Sequence, residues 1–153
     1  MILGVDPGCS GALVILDERG YVIDHLRMPT IKDGKQTKVN GAAISRFLTD
    51  YDITHAYIEK VHAMPQQGVS STFTFGHSAG LIEGIIQGLN IPYTMITPQS
   101  WKKSNNLIGT DKDAARSRAI QLHPYLDCLD KKGEGQAVAD AILIAQHGAN
   151  SNN

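Results

Sequence analysis

The stretch that most constrains this chain is its N-terminus, Met1 to Asp17. Ile2, Leu3 and Val5 make a short apolar strand that delivers a carboxylate, Asp6, into a Pro7-Gly8 turn. A second apolar run, Ala12-Leu13-Val14-Ile15-Leu16, returns from it, and Asp17-Glu18-Arg19-Gly20 turns the chain again. An aspartate ending an apolar strand is costly to desolvate unless a cation or hydrogen-bond donors meet it. The rest of the chain has to supply those partners.

At 153 residues the chain has length for one domain with a proper core, here read as residues 1–148 with a frayed tail over 149–153. Hydrophobic content of 42 % and charged content of 19 % describe a globular protein. The net charge of -1 means that any nucleic-acid surface has to be a local patch. Cys9 and Cys128 lack metal-ligand spacing, so reduced thiols in a cytosolic protein are expected. The N-terminus enters a strand at residue 2 without a basic leader, so neither a signal peptide nor a membrane span is expected.

Ile2–Val5, Ala12–Leu16 and Tyr21–Met28 read as an antiparallel meander. Ile31 to Asn40 reads as a basic, flexible connection carrying Lys32, Lys35 and Lys38. A helix from about Asn40 to Asp50 follows, then a strand over Thr54–Ile58 that ends at Glu59. Ser70–Leu89 reads as a long helix with Phe75, Ala79, Ile82, Ile86 and Leu89 on one stripe, Phe73 also packing inward. Gly76, Gly80, Gly84 and Gly88 recur there every fourth residue, and each costs about 1 kcal/mol against alanine in a helix interior. Another backbone has to approach them closely, either the chain's own sheet or a second copy of the chain. Pro92–Thr97 is a fifth strand, and Gln99–Gly109 a polar loop with Trp101, Lys102 and Lys103. Thr110-Asp111-Lys112-Asp113 starts a helix stopped at Pro124, Asp127–Gly135 is a charged loop, and Gln136–His147 is the last helix. The order β-β-β-α-β-α-β-α-α describes an α/β fold, a five-stranded mixed sheet flanked by helices.

Asp6 ends the first strand, Glu59 the fourth, and Asp140 lies in the last helix. Each alone has an ordinary reading: a turn-former, a solvated strand end, a polar position on a helix. If the first and fourth strands are parallel neighbours, however, two of the acids leave one edge of the sheet and the last helix can bring the third. Three carboxylates together repel, and a hard divalent cation such as Mg²⁺ resolves the conflict. Two such ions, roughly 3.5–4 Å apart, activate a water and stabilise the leaving oxygen in phosphodiester hydrolysis.

The run Ile2-Leu3-Gly4-Val5-Asp6-Pro7-Gly8, with Gly11-Ala12-Leu13, resembles the opening of RuvC-type Holliday junction resolvases, particularly phage-like members. Ala56-Tyr57-Ile58-Glu59-Lys60-Val61 resembles their second acidic motif, and Phe75-Gly76-His77-Ser78-Ala79-Gly80 the glycine-bearing helix after it. Thr97-Pro98-Gln99-Ser100-Trp101-Lys102-Lys103 and Ala139-Asp140-Ala141-Ile142-Leu143-Ile144-Ala145 resemble two further motifs in the same order. The resemblance covers nearly the whole chain. It implies an RNase H-like fold and a homodimer that makes paired, Mg²⁺- or Mn²⁺-dependent nicks in four-way DNA junctions, in the cytoplasm of a bacterium or a phage-infected host. It places Asp6, Glu59 and Asp140 in the metal site. It also puts His62 where the family commonly carries a ring that contacts bases at the junction.

The family usually adds an acid or histidine one turn before the last aspartate, where this chain has Ala137 and Gln136. Glu134, six residues back, is the candidate for that fourth role. Lys60, Lys102, Lys103, Lys112 and Arg116, with Trp101 as a stacking ring or a core plug, are the candidate DNA contacts. Alternative readings are an RNase H-like nuclease acting on RNA or RNA–DNA hybrid, and a junction-binding protein impaired in cleavage by its missing fourth ligand. An actin- or sugar-kinase-like ATPase shares the opening hairpin but needs two large domains, for which the chain is too short.

Overall fold

Short, continuous apolar runs set the central strands of the computed structural model, which describes residues 1–151. The chain begins with three antiparallel strands, β1 (Ile2–Asp6), β2 (Ala12–Leu16) and β3 (Val22–Arg27). The segment expected as a flexible connection is instead an ordered two-stranded ribbon, β4 (Thr30–Asp33) and β5 (Gln36–Val39). Its turn is closed by Gly34 at φ +60°, and Lys38 pairs with Asp33 across it. Basic composition masked a strand-turn-strand pattern whose pairing is local.

Helix α1 (Gly41–Thr49) is capped by Asn40, whose side chain accepts from the Ala43 N–H. Strand β6 (His55–Glu59) leads to α2 (Val69–Gly88), then β7 (Tyr93–Ile96). The stretch expected as a polar loop opens with a short helix, α3 (Pro98–Ser104), because Thr97 caps Ser100 and Pro98 fits the first helical turn. In α4 (Asp113–Leu122), Asp111 Oδ1 accepts from the N–H groups of Asp113 and Ala114. A 3₁₀ turn over Asp127–Asp130 precedes α5 (Lys132–Ser151), which starts four residues earlier than expected and takes in most of the supposed tail. Asn152 and Asn153 lie outside the described residues. Among the described residues, no helix is long and apolar enough to cross a membrane.

The sheet order is β3-β2-β1-β6-β7, with β1, β6 and β7 parallel. On one face Leu3, Val5, Leu13, Ile15 and Ile58 meet Ile44 and Leu48 of α1 and Ile82 and Ile86 of α2. Residues of the opposite parity, Val14, Leu16 and Tyr57, meet Val138, Ile142 and Leu143 of α5. With both faces covered, β2 is buried at all five positions rather than alternating. Each fully buried Leu or Ile contributes about 1.5–3 kcal/mol. Helix α5 lies directly on β1: a Cβ on Gly4 would sit 2.3 Å from the Ala141 carbonyl oxygen.

Helix α2 corrects two expectations. Gly76, Gly80, Gly84 and Gly88 are all exposed and have nothing within 4 Å of an added Cβ, so close packing on the chain's own sheet does not explain them. Phe73 shares that outer face and is 75 % exposed, because the inward stripe through Ile82 and Ile86 lies on the other side of the helix.

Candidate active site

Strand parity and register bring the acids together. Along β1 and β6 the register runs Gly4↔Tyr57 and Val5↔Ile58, so one further step sets Asp6 beside Glu59 at the strand ends. Asp6 shares parity with Gly4, and Glu59 with Tyr57; both therefore face α5, which carries Asp140.

Their electrostatics record the crowding. Burial, then the Asp140 and Glu59 charges, push the Asp6 carboxyl well above the usual carboxylate range, against a smaller opposing pull from Lys102. Burial and Glu59 likewise raise Asp140 to about 6, opposed by a hydrogen bond from Gln136 and by Lys102. The Asp6 carboxyl accepts no hydrogen bond from the described residues, whereas Glu59 Oε2 accepts from Trp101 Nε1 at 2.6 Å and Asp140 Oδ1 from Gln136 Nε2 at 3.1 Å. Among the described residues no three Asp, Glu, His or Cys side chains converge into a ready-made cation cage. Two of the three acids are turned toward neutral donors.

Asp6 and Asp140 open into a groove of about 570 Å³ that Ser10, Lys102, Lys112 and Gln136 also line, with Glu59 behind it on Trp101. A larger hollow, about 880 Å³, lies near the opposite end of the sheet beside Met1, His55 and His147. The carboxylate chemistry, not volume, marks the smaller groove as the candidate site.

The other expected site residues divide. Lys102 is exposed, close enough to act on both Asp6 and Asp140, with its Nζ 5.3 Å from the Trp101 ring centroid. Lys112 lines the groove; Lys60, His62 and Lys103 are exposed on the segments after β6 and in α3. Trp101 is 1 % exposed, so it plugs the core under Glu59 and offers no face to a base. Arg116 turns inward, donating to the Leu129 carbonyl at 3.0 Å and lying 3.8 Å from Asp113. Glu134 pairs with Lys131 at 3.8 Å and does not line the groove, whereas Gly133, Gln136 and Ala137 do. Because α5 begins at Lys132, six residues at 100° each set Glu134 about a third of a turn away from Asp140. Gln136, which stands where the sequence offered no acid or histidine, contributes a hydrogen bond to Asp140 instead, and its i,i+4 spacing to that residue is the sequence signal for it.

A mixed sheet of order β3-β2-β1-β6-β7, with carboxylates at two central strand ends and a third on the covering helix, is an RNase H-like fold with an acidic groove at one end. Solved structures of that fold align over almost the entire chain. RuvC from T. thermophilus in complex with Holliday junction substrate matches with TM-score 0.65 at 15 % identity, covering 99 % of this chain and 94 % of that one. The Thermus thermophilus RuvC structure matches with TM-score 0.66 at 15 % identity, covering 99 % and 95 %. The Fowlpox virus resolvase in complex with Holliday junction DNA matches with TM-score 0.60 at 18 % identity, covering 99 % of both chains. No family model and no curated protein matches the sequence.

Proposed function

We propose that this protein is a divalent-cation-dependent DNA endonuclease that resolves four-way junctions by paired nicks, acting as a homodimer. The observation that carries the reading is the Asp6–Glu59–Asp140 cluster, half-buried where two strand ends of an RNase H-like sheet meet α5. The junction-bound RuvC and Fowlpox resolvase structures, which share the fold over their length, support junction DNA as the substrate class.

The donor set fits Mg²⁺ or Mn²⁺: it is all carboxylate oxygen, and the Asp6 and Asp140 carboxyls are raised by burial and mutual repulsion that a cation would relieve. Asp6, Glu59 and Asp140 would hold the metal, which supplies activation of a water and stabilisation of the leaving oxygen. Trp101 orients Glu59, and Gln136 orients Asp140. Lys102 offers its ammonium at the groove to a phosphate, and Lys60, His62, Lys103 and Lys112 flank the path of the strand. Arg116 acts by holding α4 to the Leu129 turn.

Paired nicks need two active sites. The outer face of α2, with Val69 and Phe73 exposed at 89 % and 75 % and four open glycines beyond them, supplies an apolar, close-approach surface for a second copy in a two-fold contact. Light scattering on wild type and Phe73→Glu tests that contact: a dimer that becomes a monomer supports it.

Cleavage of a labelled four-way junction beside matched duplex and RNA–DNA hybrid, in Mg²⁺, Mn²⁺ or EDTA, tests the activity. Metal-dependent paired nicks in the junction, lost in Asp6→Asn, are the expected result. Cleavage of the hybrid alone would replace the reading with an RNA-directed nuclease.

A further inference from the structure

The ribbon β4–β5 has no part in the main sheet, yet it rises from the catalytic end. Strand β3 finishes at Arg27 opposite Ala12, and Ala12 lies opposite Asp6. The ribbon leaves just beyond, anchored by Met28 N–H to the Gly11 carbonyl (2.9 Å) and Asn40 N–H to the Pro29 carbonyl (2.7 Å). Its base is fixed by buried Val39, and the Cys9 thiol, three residues past Asp6, donates to the Thr37 carbonyl. Beyond that base every residue of β4 is exposed, including Ile31 at 49 %. A ribbon so placed contributes little core.

Its charge is one-sided. Thr30–Val39 carries Lys32, Lys35 and Lys38 against Asp33 alone, a net +2 in a chain whose total is -1. Asp33 is taken by Lys38. Lys32 donates only to the Thr37 hydroxyl, and Lys35 in the turn and Arg27 at the foot of the ribbon form no ion pair among the described residues. Lys102 lies at the acids themselves, in the groove with Asp6 and Asp140, whereas the ribbon rises beside the β1–β2 turn, where Cys9 meets Thr37, and against α2. A polyanion drawn toward three carboxylates needs positive charge around them as well as at them.

We infer that the β4–β5 ribbon is a DNA-docking arm, in which Lys32 and Lys35, with Arg27 at its foot, grip the phosphate backbone of a junction arm as it passes the β1–β2 turn beside the acids. This rests on the proposed junction reading and extends the phosphate contacts beyond the groove. The contact is to phosphates, so it adds affinity without sequence preference.

The test is binding of a labelled four-way junction in EDTA between 50 and 200 mM salt, for wild type, K32Q/K35Q and the single variant K35Q. Neutralising Arg46 on α1, whose helix leads away from the site, is the control. If the arm holds two phosphates, the double variant loses affinity and its log K against log salt slope becomes shallower by roughly 1.8, about 0.9 per lost contact. K35Q, a change in an exposed turn that threatens no packing, gives about half that, and the Arg46→Gln control keeps the wild-type slope. Wild-type slope and affinity in the ribbon variants, with the wild type still cutting junctions, would overturn the arm and leave the nuclease standing. A wild type that bound no junction would overturn both.

Discussion

The indole N–H of Trp101 donates to Glu59 Oε2 across 2.6 Å, from a ring that is 1 % exposed. A rigid donor packed between β7 and α5 thus sets the direction of a carboxylate at a strand end. Trp101→Phe keeps an aromatic plug but removes the donor, and leaving a carboxylate without its partner costs about 1–3 kcal/mol. The expected results are a lower melting temperature and weaker Mn²⁺ binding by calorimetry. Trp101 is also the sole tryptophan, so wild-type indole fluorescence should change during a Mg²⁺ titration and stay flat in Glu59→Gln.

Asp140 lies at about 6 in the folded protein against an ordinary 3.8. Between those values the native state holds the proton that the unfolded chain has released, so stability falls as pH rises through that window and stays lower above it. A displacement of about 2 units corresponds to about 3 kcal/mol. Metal-free Asp140→Asn should therefore melt above wild type at pH 7.5, with the gap closing near pH 4. Mg²⁺ should raise the wild-type melting temperature at pH 7.5 and leave the variant's nearly unchanged.

Gly4 and Gly84 should respond to alanine with opposite signs. At Gly4 the new methyl meets the Ala141 carbonyl at 2.3 Å and the Ala145 Cβ at 2.7 Å, which forces α5 off the strand that carries Asp6. Overpacking of this kind costs about 1–3 kcal/mol or more. At Gly84 nothing lies within 4 Å, and the helix gains about 1 kcal/mol. Urea unfolding of dilute protein measures both.

Glu134→Gln should cleave with unchanged rate and metal dependence, because its carboxylate pairs with Lys131 outside the groove. Gln136→Ala removes the hydrogen bond that holds Asp140 down, so the proton competes better with metal. Apparent Mg²⁺ affinity, read from cleavage and from thermal shift, should weaken more at pH 6.5 than at pH 8.

The strands, the two long helices and the three acids were legible because each is written locally. Short continuous apolar runs such as Ala12–Leu16, and a carboxylate closing such a run before Pro7-Gly8, depend on neighbouring residues alone. The β4–β5 ribbon and α3 were missed for a physical reason: polar side chains make short elements look like loops when pairing and capping, not burial, hold them.

What the sequence determined by itself is the order of the apolar strands and long helices and the placement of Asp6 and Glu59 at strand ends, since turn chemistry and side-chain periodicity act over a few residues. Only the tertiary structure decided which neighbours those acids acquire. The start of α5 at Lys132 swings Glu134 away and turns Gln136 toward Asp140, the packing of α3 under β7 buries Trp101 against Glu59, and the way α2 meets the sheet leaves its glycines and Phe73 outward. Each outcome depends on how one element rotates against another, a balance of burial and close approach between residues distant in the chain.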